Sequence, residues 1–454
     1  MSLANIFIYR ERMEGMEERI KRLLEHAEEM RRIAFSFKNP IVVSHYDCDG
    51  LSARAIVEYA LRREWKRYRA VSIKKLDDKA IEKLKGEKEI IFVDLGSGNE
   101  RVNELGDVLI MDHHQPKKVE KPQINPWMFG MDGGSELSSS GVASIVFGCR
   151  SDLAIVGALG DMQYPLESAN RYIAETGKRN GEVEEEYDIT LYGKHSRPLY
   201  AFLAYSDEPY IPTISYNEEN AIKLLEEIGI EARTNGAWKT YADLRQSEKK
   251  KLISALADIM LEYDRNASQL VGNIYSLPGY DKESIMHDAH EFSTMLNACG
   301  RHRKPDVGVE AALGNQTSCK EAEELLRTHK NAIREGIVFA RNNFADMGPF
   351  YLIDGRGKIY EGIIGIVCGM VMRISFEKPV IGMSESEEGG IKVSSRGNKR
   401  MLEMGLNLGI AMMEAADSTG GIGGGHHLAA GAEIPKEKVN EFLRELGRVL
   451  GKQL

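Results

Sequence analysis

Residues 41–50 read IVVSHYDCDG, an apolar run of strand length that ends in a histidine and two aspartates at alternate positions. In an extended backbone alternate residues face the same side, so these side chains would project together if the strand continues to Gly50. They are His45, Asp47 and Asp49. Mixed imidazole and carboxylate ligands suit Mn²⁺ or another first-row metal better than Mg²⁺ or Ca²⁺. The alternative, for this stretch alone, is a strand end whose polar side chains make loop hydrogen bonds.

The same pattern, an apolar run that ends in an acid, recurs along the first third of the chain. It appears in EIIFVDLGSG, DVLIMDHHQP and LAIVGALGDM, whose apolar runs end at Asp94, Asp112 and Asp161. Continuous apolar strands that alternate with helices predict an α/β fold with a parallel sheet covered on both faces. Ligands of such sheets bind beyond the carboxyl ends of the strands. We therefore expect all four acidic clusters to meet at one edge and form one site.

The rest of the sequence predicts additional parts. Long charged helices after this region predict a helical insertion, and a Gly-Pro pair after Met347 precedes a second alternation of strands and helices. The predicted division is a parallel-sheet core over residues 1–165, the helical insertion over 166–310, a connecting helix over 311–345 and a smaller α/β domain over 346–454.

Composition narrows the class of protein. A chain of 454 residues with 42% hydrophobic and 28% charged residues is typical of a soluble protein of two or three domains. The net charge of -9 requires that any contact with nucleic acid be made by a local basic groove. The five cysteines form no C-x-x-C pair, which predicts free thiols in a reducing cytoplasm. The N-terminus reads as a charged helix rather than a signal peptide, and the longest apolar run, residues 362–372, is too short to span a membrane.

DHHQP at residues 112–116 is the strongest chemical signal, because two adjacent histidines behind a strand-end aspartate are rarely needed for packing. Asp94 and Asp161, each taken alone, are more often helix caps or turn formers. Together, carboxylates from four strand ends and at least two imidazoles suffice for two metals that share one bridging carboxylate. That layout suits in-line attack on a phosphodiester, so phosphoryl hydrolysis is the leading chemistry.

HYDCDG, FVDLGSG, DHHQP and GALGD resemble the four motifs of the DHH phosphoesterases. LNACGR at residues 296–301 and ELSSSGVA at residues 136–143 resemble motifs of the RecJ exonuclease branch. GGIGGGHHLAAGAEIP at residues 420–435 is similar to the glycine-rich motif of the C-terminal substrate-binding domain of that family. The motifs cover both ends and the middle of the chain, and the set most resembles the archaeal RecJ-like nucleases.

The resemblance implies two bound Mn²⁺ ions, or Mg²⁺ in their place, with Asp94 as the shared ligand. The implied ligands are His45, Asp47 and Asp94 for one ion, and Asp49, Asp94, His113 and Asp161 for the other. Water activated by both cations would be the nucleophile. Asp112 and His114 would orient His113 or hydrogen-bond the scissile phosphate, and a protonated His114 would assist the leaving oxygen.

Glycines and basic residues outside the metal motifs are candidates for binding substrate phosphate. The candidates are Gly423, Gly424, Gly425, His426, Arg301 and Arg396. The glycine run leaves backbone amides open to a phosphate and the histidine can donate a further hydrogen bond, although a glycine-rich turn alone is the plainer interpretation. The two arginines are included because a guanidinium matches phosphate oxygens bidentately.

The function implied by the resemblance is a metal-dependent exonuclease of single-stranded DNA or RNA, in DNA repair or replication. Bacterial RecJ proteins carry an extra oligonucleotide-binding barrel, which we do not expect after Pro435, and this puts their 5′ to 3′ direction in doubt for this chain. The archaeal branch that the middle region resembles includes 3′ to 5′ enzymes, and the resemblance favours that direction. One alternative is a phosphodiesterase for short oligonucleotides or cyclic dinucleotides. Another is a non-catalytic Cdc45-like replication scaffold, which the presence of every expected ligand disfavours. A helicase or replisome component is the implied protein partner, a membrane is not, and the oligomeric state stays open.

Overall fold

Two compact units, Met1–Glu323 and Glu324–Leu454, make up the chain. The computed structural model describes residues 3–206, 209–375 and 377–454, with side chains for 15–206, 209–372 and 377–454. The predicted N-terminal helix begins at Leu3; Met1 and Ser2, which belong to the same prediction, lie outside the described residues. The predicted α/β class, with a parallel sheet in the first unit and a separate α/β second unit, is confirmed. The four-part division of the chain stays a prediction.

Helices and parallel strands alternate at the start of the first unit, and helices dominate its second half. Its helices are α1 (Leu3–Ser36), α2 (Cys48–Arg63), α3 (Asp78–Leu84), α4 (Ser139–Phe147), α5 (Ser151–Gly160), α6 (Ser168–Asn180), α7 (Leu199–Ala204), α8 (Glu218–Glu227), α9 (Gln246–Glu262), α10 (Ala289–Arg301) and α11 (Pro305–Ala312). Its strands are β1 (Ile41–His45), β2 (Arg69–Ile73), β3 (Glu89–Val93), β4 (Asp107–Met111), β5 (Gln123–Ile124), β6 (Glu184–Ile189), β7 (Arg233–Thr234), β8 (Ala237–Trp238) and β9 (Val271–Ser276).

The second unit contains most of a long helix, α12, which begins before the boundary between the units. The remaining helices are α12 (Gln316–Asn342), α13 (Glu361–Ser375), α14 (Lys399–Glu403), α15 (Leu408–Asp417) and α16 (Val439–Gln453). The remaining strands are β10 (Phe344–Asp346), β11 (Tyr351–Asp354), β12 (Val380–Glu385), β13 (Ile391–Arg396), β14 (Ile422–Gly425) and β15 (Ala429–Ile434).

The sheet of the first unit has five parallel strands in the order β2-β1-β3-β4-β5. Phe92 and Ile110 on one face pack with Ile81 of α3 in one apolar cluster. The alternate residues Ile91 and Leu109 are equally buried, on the face where α2 and α4 contact the strands. Burial on both faces explains why these strands are continuously apolar. It also leaves their carboxyl ends as the place where polar side chains can gather.

Two local predictions for this sheet are wrong. The apolar run before Asp161 is helix α5, not a fourth strand, because α2, α4, α6 and α10 surround it and a helix buried on all sides has no polar face to reveal its period. Strand β1 ends at His45, so the alternating side chains do not project from one strand. Instead Asp47 caps α2, its Oδ1 accepting from the amide of Gly50 at 3.1 Å, and Asp49 lies in the first helical turn.

The helices after α6 enclose a core of their own. Under α7, α8 and α9, Phe202, Leu225 and Leu252 are buried in one cluster that also takes in Leu270. Strands β6 and β9 form an antiparallel pair beside it, and β7 with β8 forms a second, shorter pair. Helix α10 returns to the first part of the unit, where it packs against α2 and α5. The helical insertion therefore leads the chain back to the carboxyl edge of the parallel sheet.

The second unit is built on a mixed six-stranded sheet in the order β10-β11-β12-β13-β15-β14, in which β11 and β12 are parallel and the other pairs antiparallel. Helix α13 covers one face, and α15 and α16 cover the other. Helix α15 lies so close to the edge strand β14 that a Cβ on Gly423 would stand 2.2 Å from the carbonyl oxygen of Met412. Only glycine permits this approach of helix and strand.

The longest apolar run of the sequence, residues 362–372, forms most of α13. Ile364 and Cys368 of this helix are fully buried against the sheet of the second unit. Within the part of the chain that the structure covers, no helix has both the length and the apolar character needed to cross a membrane. Cys368 and the other four cysteines are free thiols.

Candidate metal centre and phosphate-binding residues

The carboxyl edge of the parallel sheet brings the predicted metal ligands together. His45 is the last residue of β1, Asp47 and Asp49 begin α2, Asp94 directly follows β3, Asp112, His113 and His114 directly follow β4, and Asp161 ends α5. Three of the contributing elements are strands and two are helices. Because α5 packs on α2 and α4, its C-terminus reaches the same edge as the strand ends.

His45, Asp47 and Asp94 form the first group of potential ligands. Nδ1 of His45 lies 2.8 Å from Oδ2 of Asp47 and 3.4 Å from Oδ2 of Asp94. Despite these short distances Nδ1 is buried and makes no hydrogen bond to any residue that the structure describes. The ligand atoms of the three residues all lie within 4.8 Å of one another. Close contact without hydrogen-bond alignment is the arrangement expected of atoms that converge on a common cation.

Asp94 links this group to a second one. Its Oδ1 lies 3.3 Å from Nε2 of His113, so the two oxygens of one carboxylate face two different imidazoles. The hydroxyl of Ser139 donates to the same Oδ1 at 3.0 Å. The backbone of Asp94 has φ of 61°, in the left-handed region that few residues other than glycine, Asn and Asp adopt readily. Aspartate is thus one of the few ligand-bearing residues that suit this backbone position.

The orientation of the His113 ring is set by the loop around Gly133. Nδ1 of His113 donates to the carbonyl oxygen of Gly133 at 2.7 Å, which leaves Nε2 directed toward Asp94 and, at 3.7 Å, toward Oδ2 of Asp161. Nε2 of Gln163 donates to the same carbonyl at 2.8 Å and to Oδ2 of Asp161 at 3.2 Å. A backbone acceptor on the far ring nitrogen is a common means of fixing a metal-binding histidine.

Asp49 is held by the N-terminus of helix α4. Its Oδ2 accepts from the amide of Ser139 at 2.7 Å, and its Oδ1 accepts from the amide of Ser140 at 3.0 Å and from the Ser140 hydroxyl. Oδ1 of Asp49 thus takes two donors and Oδ2 takes one, so Oδ2 is the oxygen with more capacity left for a cation. The negative charge of Asp49 is also among the causes that raise the pKa of His113.

Asp112 is fully buried and organises the backbone of the DHH motif. Its Oδ2 accepts from the amide and hydroxyl of Ser97, and its Oδ1 accepts from the amides of His113 and His114 and from Nδ1 of His114 at 2.8 Å. The His114 side chain is 55% exposed, and its Nδ1 also lies 3.8 Å from Oδ1 of Asp94. His114 contacts Asp112 through Nδ1, and its Nε2 takes no part in that contact.

The pKa values of these groups are displaced in opposite directions. Burial alone would lower the pKa of His45, but the carboxylates of Asp47 and Asp94 raise it to about 11. Burial would likewise lower the pKa of His113, and chiefly Asp94 raises it to about 11. For Asp94 burial opposes ionisation, yet the two imidazoles hold its pKa well below the ordinary value. The shared carboxylate is thus anionic, and without a cation both histidines carry protons.

The pKa values of the remaining carboxyl groups, Asp49, Asp161 and Asp112, are not all shifted in the same direction. Burial, followed by the negative charge of Asp94, raises the pKa of Asp49 to about 7. The pKa of Asp161 is also raised, mainly by burial. In contrast, the hydrogen bond to His114 outweighs burial and lowers the pKa of Asp112. The carboxyl groups of Asp49 and Asp161 therefore ionise less readily than usual, because they are buried near the negative charge of Asp94. Asp112 ionises more readily than usual, because it accepts a hydrogen bond from His114.

These observations fit one or more divalent cations. The cluster combines a buried imidazole nitrogen of His45 that lies between two carboxylates, a carboxylate of Asp94 that faces two imidazoles, and an Asp49 carboxyl whose pKa is raised. A second set of ligand atoms within 4.8 Å of one another consists of Asp94, His113 and His114. Mixed nitrogen and oxygen donors suit first-row metals. Asp94 belongs to both sets of potential ligand atoms.

The predicted phosphate-binding residues are distributed over both units. Arg396 ends β13 in the second unit and is paired across the sheet with Ala429 of β15. The glycine run Gly423, Gly424 and Gly425 forms most of the edge strand β14, and His426 is exposed in the turn that follows it, its amide donating to Ala429. Strand β15 therefore lies between Arg396 on β13 and the glycine run on β14. Arg301 is in the first unit, in the last turn of α10.

The motif that contains Arg301 also supports the metal centre. Oδ1 of Asn297 in LNACGR accepts from the amide of Cys48, the first residue of α2, at 3.1 Å. The amide side chain thus holds the start of α2 in place across 249 residues of sequence. This contact gives the middle motif a structural link to the site that its sequence alone does not reveal.

Sequence reasoning missed several groups at the site. Ser139 and Ser140 were recognised only as part of a motif, without a role, and their repeated hydroxyls beside a helix start were the available signal. Gln163 lies two residues after Asp161 and carried no signal of its own. Trp127 follows the DHH motif by a dozen or so residues, and its indole donates to the carbonyl oxygen of His113 at 3.0 Å. Contacts of this kind join segments that no sequence pattern relates.

Fold and site together define an α/β protein with an acidic and imidazole-rich metal centre at the carboxyl edge of a parallel sheet. Three family models match the chain: the DHH family N-terminal domain over residues 39–158, the DHH-CID domain over 191–271 and the DHHA1 domain over 349–452. An uncharacterised protein of Methanocaldococcus jannaschii, MJ0831, is 34% identical over 460 residues, covering 95% of this chain and 100% of that protein. The chain belongs to the DHH family of phosphoesterases, hydrolases that act on phosphodiester bonds.

Solved structures share the fold at low sequence identity. Two structures of RecJ with manganese, one from Thermus thermophilus and one titled exonuclease RecJ, each align with 95% of this chain at 17% identity and a TM-score of 0.57. The chain spans 55% of the T. thermophilus protein and 94% of the other. CDC45 from Entamoeba histolytica aligns with 94% of this chain, over 98% of its own length, at 12% identity and a TM-score of 0.64.

Proposed function

We propose that this phosphoesterase is a divalent-metal-dependent exonuclease that hydrolyses single-stranded DNA or RNA. The observation that carries the proposal is the position of Asp94, whose two carboxylate oxygens face the imidazoles of His45 and His113 within two overlapping sets of ligand atoms. A related fold has been solved as exonuclease RecJ bound to manganese, and as RecJ with Mg²⁺ from T. thermophilus. Mn²⁺ is the preferred ion of the proposal because of the mixed donors, with Mg²⁺ second.

The proposed ligands are those that the sequence suggested. His45, Asp47 and Asp94 would hold one ion, and Asp49, Asp94, His113 and Asp161 the other. When bound, two such cations lower the pKa of water and offset the charge that develops on phosphorus. Gly133 fixes the ring of His113, and Ser139 with Ser140 fixes the carboxylates of Asp94 and Asp49. These contacts hold the donors before any ion arrives, which limits reorganisation during the reaction.

His114 is the proposed proton donor. Its Nδ1 is engaged by Asp112, and chiefly this hydrogen bond raises the pKa of its imidazole. A protonated ring with an exposed face can donate from Nε2 to the leaving oxygen or to a phosphate oxygen. In the second unit Arg396, the amides of Gly423 to Gly425 and His426 would bind substrate phosphate. Arg301 has the same proposed role in the first unit.

Two other functions are outcomes of the same test. A phosphodiesterase for very short oligonucleotides or cyclic dinucleotides would use the same metal centre. A non-catalytic scaffold of the Cdc45 kind would not need it, and the full set of donor side chains at the sheet edge argues against that role. A 3′ to 5′ direction and a helicase or replisome partner remain part of the proposal.

The test uses single-stranded DNA and RNA, each labelled at the 5′ or the 3′ end, with Mn²⁺, Mg²⁺ or chelator. Mononucleotide release from one end only, dependent on the metal, is the expected result. Asp94→Asn, which replaces the shared carboxylate with a neutral group of the same shape, should reduce the rate to background. Asp107→Asn is the matched control, because Asp107 is exposed at the opposite end of β4. Cyclic dinucleotides cleaved faster than long strands, or equal turnover in Asp94→Asn and wild type, would refute the proposal.

A further inference from the structure

The short 3-10 turn Pro126–Phe129 places Trp127 beside the backbone of the DHH motif. Nδ2 of Asn125 donates to the carbonyl oxygen of His114 at 2.9 Å, and Oδ1 of Asn125 accepts from the amide of Trp127 at 3.1 Å. The indole Nε1 of Trp127 donates to the carbonyl oxygen of His113 at 3.0 Å. The tryptophan is therefore fixed at both its backbone and its ring edge to the residues that carry the two histidines.

Trp127 is nevertheless 41% exposed. The one polar atom of its side chain is already bonded, so the side chain offers solvent only apolar atoms. An aromatic ring whose edge is anchored and whose surface is open has a fixed orientation and a free area for a planar partner. Trp65, by comparison, is 93% exposed just after the end of α2, where it marks only the tip of a helix.

Other apolar side chains around the metal centre are exposed as well. Met162 directly follows Asp161, has φ of 60° and is 81% exposed. Met128, next to Trp127, is also exposed. Thioether side chains are polarizable and adapt to flat ligands. Exposed apolar groups thus adjoin proposed ligands from two separate segments of the chain, at the DHH motif and at the end of α5.

We propose that Trp127 stacks on the base of the nucleotide whose phosphodiester is held at the Asp94 centre. The inference rests on the proposed function and deepens it by assigning the substrate class. Every nucleobase has a π-face, so stacking is tolerant of sequence but requires a base that is free of a duplex. The substrate is then a single strand with an unpaired base at the site, and a phosphodiester without a base is a poor substrate.

The experiment compares a single-stranded oligonucleotide with one of equal length whose terminal nucleotides at both ends lack bases. Cleavage with Mn²⁺ is measured at subsaturating substrate for wild type, Trp127→Ala, Trp127→Phe and Trp65→Ala. Stacking on an aromatic side chain predicts that wild type and the Trp65→Ala control cleave the abasic strand about 5- to 100-fold more slowly. Trp127→Ala should cleave both strands equally slowly, because the base and the ring act as one pair.

The phenylalanine variant separates stacking from structural support. Phenylalanine has a π-face but no N–H for the carbonyl of His113, so Trp127→Phe should keep most of the preference for the intact strand. If Trp127 only supports the DHH backbone, Trp127→Phe and Trp127→Ala should both lose Mn²⁺ affinity and retain the wild-type preference, which would overturn the inference. If the wild-type protein shows no metal-dependent cleavage of either strand, the proposed function itself is refuted.

A second measurement does not depend on the folding of the alanine variant. In a background of Trp65→Phe, Trp238→Phe and Asp94→Asn, Trp127 is the sole tryptophan of the chain and the strand is not cleaved. Binding of the intact oligonucleotide should quench the fluorescence of this tryptophan, and binding of the abasic one should not. Equal quenching by both strands at matched saturation would contradict stacking.

Discussion

Oδ1 of Asp94 lies 3.3 Å from Nε2 of His113, while the other ring nitrogen of His113 is bonded to a backbone carbonyl. Nδ1 of His113 thus donates to the backbone, and Nε2 faces the carboxylate of Asp94. At His114 one nitrogen serves both contacts, because Nδ1 is bonded to Asp112 and lies 3.8 Å from Oδ1 of Asp94. The loop after β4 therefore presents two imidazoles of set orientation to one acidic cluster.

Asp112→Asn tests the support of the DHH backbone. The amide side chain can accept fewer hydrogen bonds than the carboxylate that now takes five donors, from Ser97, His113 and His114. We expect kcat to fall by about 10- to 100-fold, as for other groups that orient ligands. Mn²⁺ affinity should fall by less, since Asp112 is not a proposed ligand. Steady-state kinetics and calorimetric Mn²⁺ titration check this, and Mn²⁺ affinity that falls as far as kcat would contradict it.

Gly157→Ala tests the hydrogen bonds that Ser139 and Ser140 donate to Asp49. A Cβ on Gly157 would lie 2.1 Å from the Ser140 hydroxyl and 2.5 Å from Oδ1 of Asp49, so the serine and the carboxylate must move. We expect weaker Mn²⁺ binding and a free energy of unfolding lowered by about 1–3 kcal/mol. Gly447→Ala in α16 is the control. Its nearest neighbour is 3.8 Å away, and the exchange should stabilise the helix by about 0.5–1 kcal/mol.

The two glycine variants are compared by urea unfolding and Mn²⁺ titration. A Gly157→Ala protein that binds Mn²⁺ as tightly as wild type would show that Asp49 is not placed by this contact.

Mn²⁺ binding should release protons. Without metal the pKa of His45 and that of His113 are raised to about 11, and that of Asp49 to about 7, so the ligands hold protons at neutral pH. A cation must displace these protons, and its apparent affinity should therefore rise with pH between about 6 and 8. Calorimetry in two buffers of different ionisation enthalpy measures the release. An affinity that is flat over this range, with no buffer dependence, would speak against these residues as ligands.

Arg396→Ala tests phosphate binding in the second unit. The guanidinium of Arg396 lies against α13 at Gly365, where a Cβ would come within 2.9 Å of Nη2. Loss of charge-assisted hydrogen bonds should weaken oligonucleotide binding by about 10- to 100-fold and leave Mn²⁺ affinity unchanged. Arg356→Ala is the control, because Arg356 is exposed and paired with Asp354. Anisotropy with a labelled strand measures the effect, and equal affinity in both variants would exclude a phosphate contact.

The sequence predicted the parallel sheet because β1, β3 and β4 are buried on both faces and so appear as unbroken apolar runs. It failed at α5, since a helix surrounded by other helices is equally apolar along its length. Strand β2 was not predicted, because its half-exposed residues RAVSI show no such run. The pattern of apolar residues therefore predicted the central strands of the first unit. It failed for α5, which is buried on all sides, and for β2, which is half-exposed.

The candidate site divides in the same way. Residue types and their order were enough to name the acids and histidines at the sheet edge. Residue types and order could not identify the groups that hold these side chains in place. The backbone amides that donate to Asp49, for example, are 90 and 91 residues away in sequence, at the start of α4. Likewise the acceptor for His113 is Gly133, which contributes only a backbone oxygen and leaves no trace in the side-chain pattern.

The left-handed backbone at Asp94 has an evolutionary implication. Asparagine also adopts that conformation readily. If Asp94 has the proposed role, a single nucleotide-level exchange at this position would silence the chemistry while the architecture survives. A lineage that inherited such an exchange would keep a full-sized, folded body available for other work.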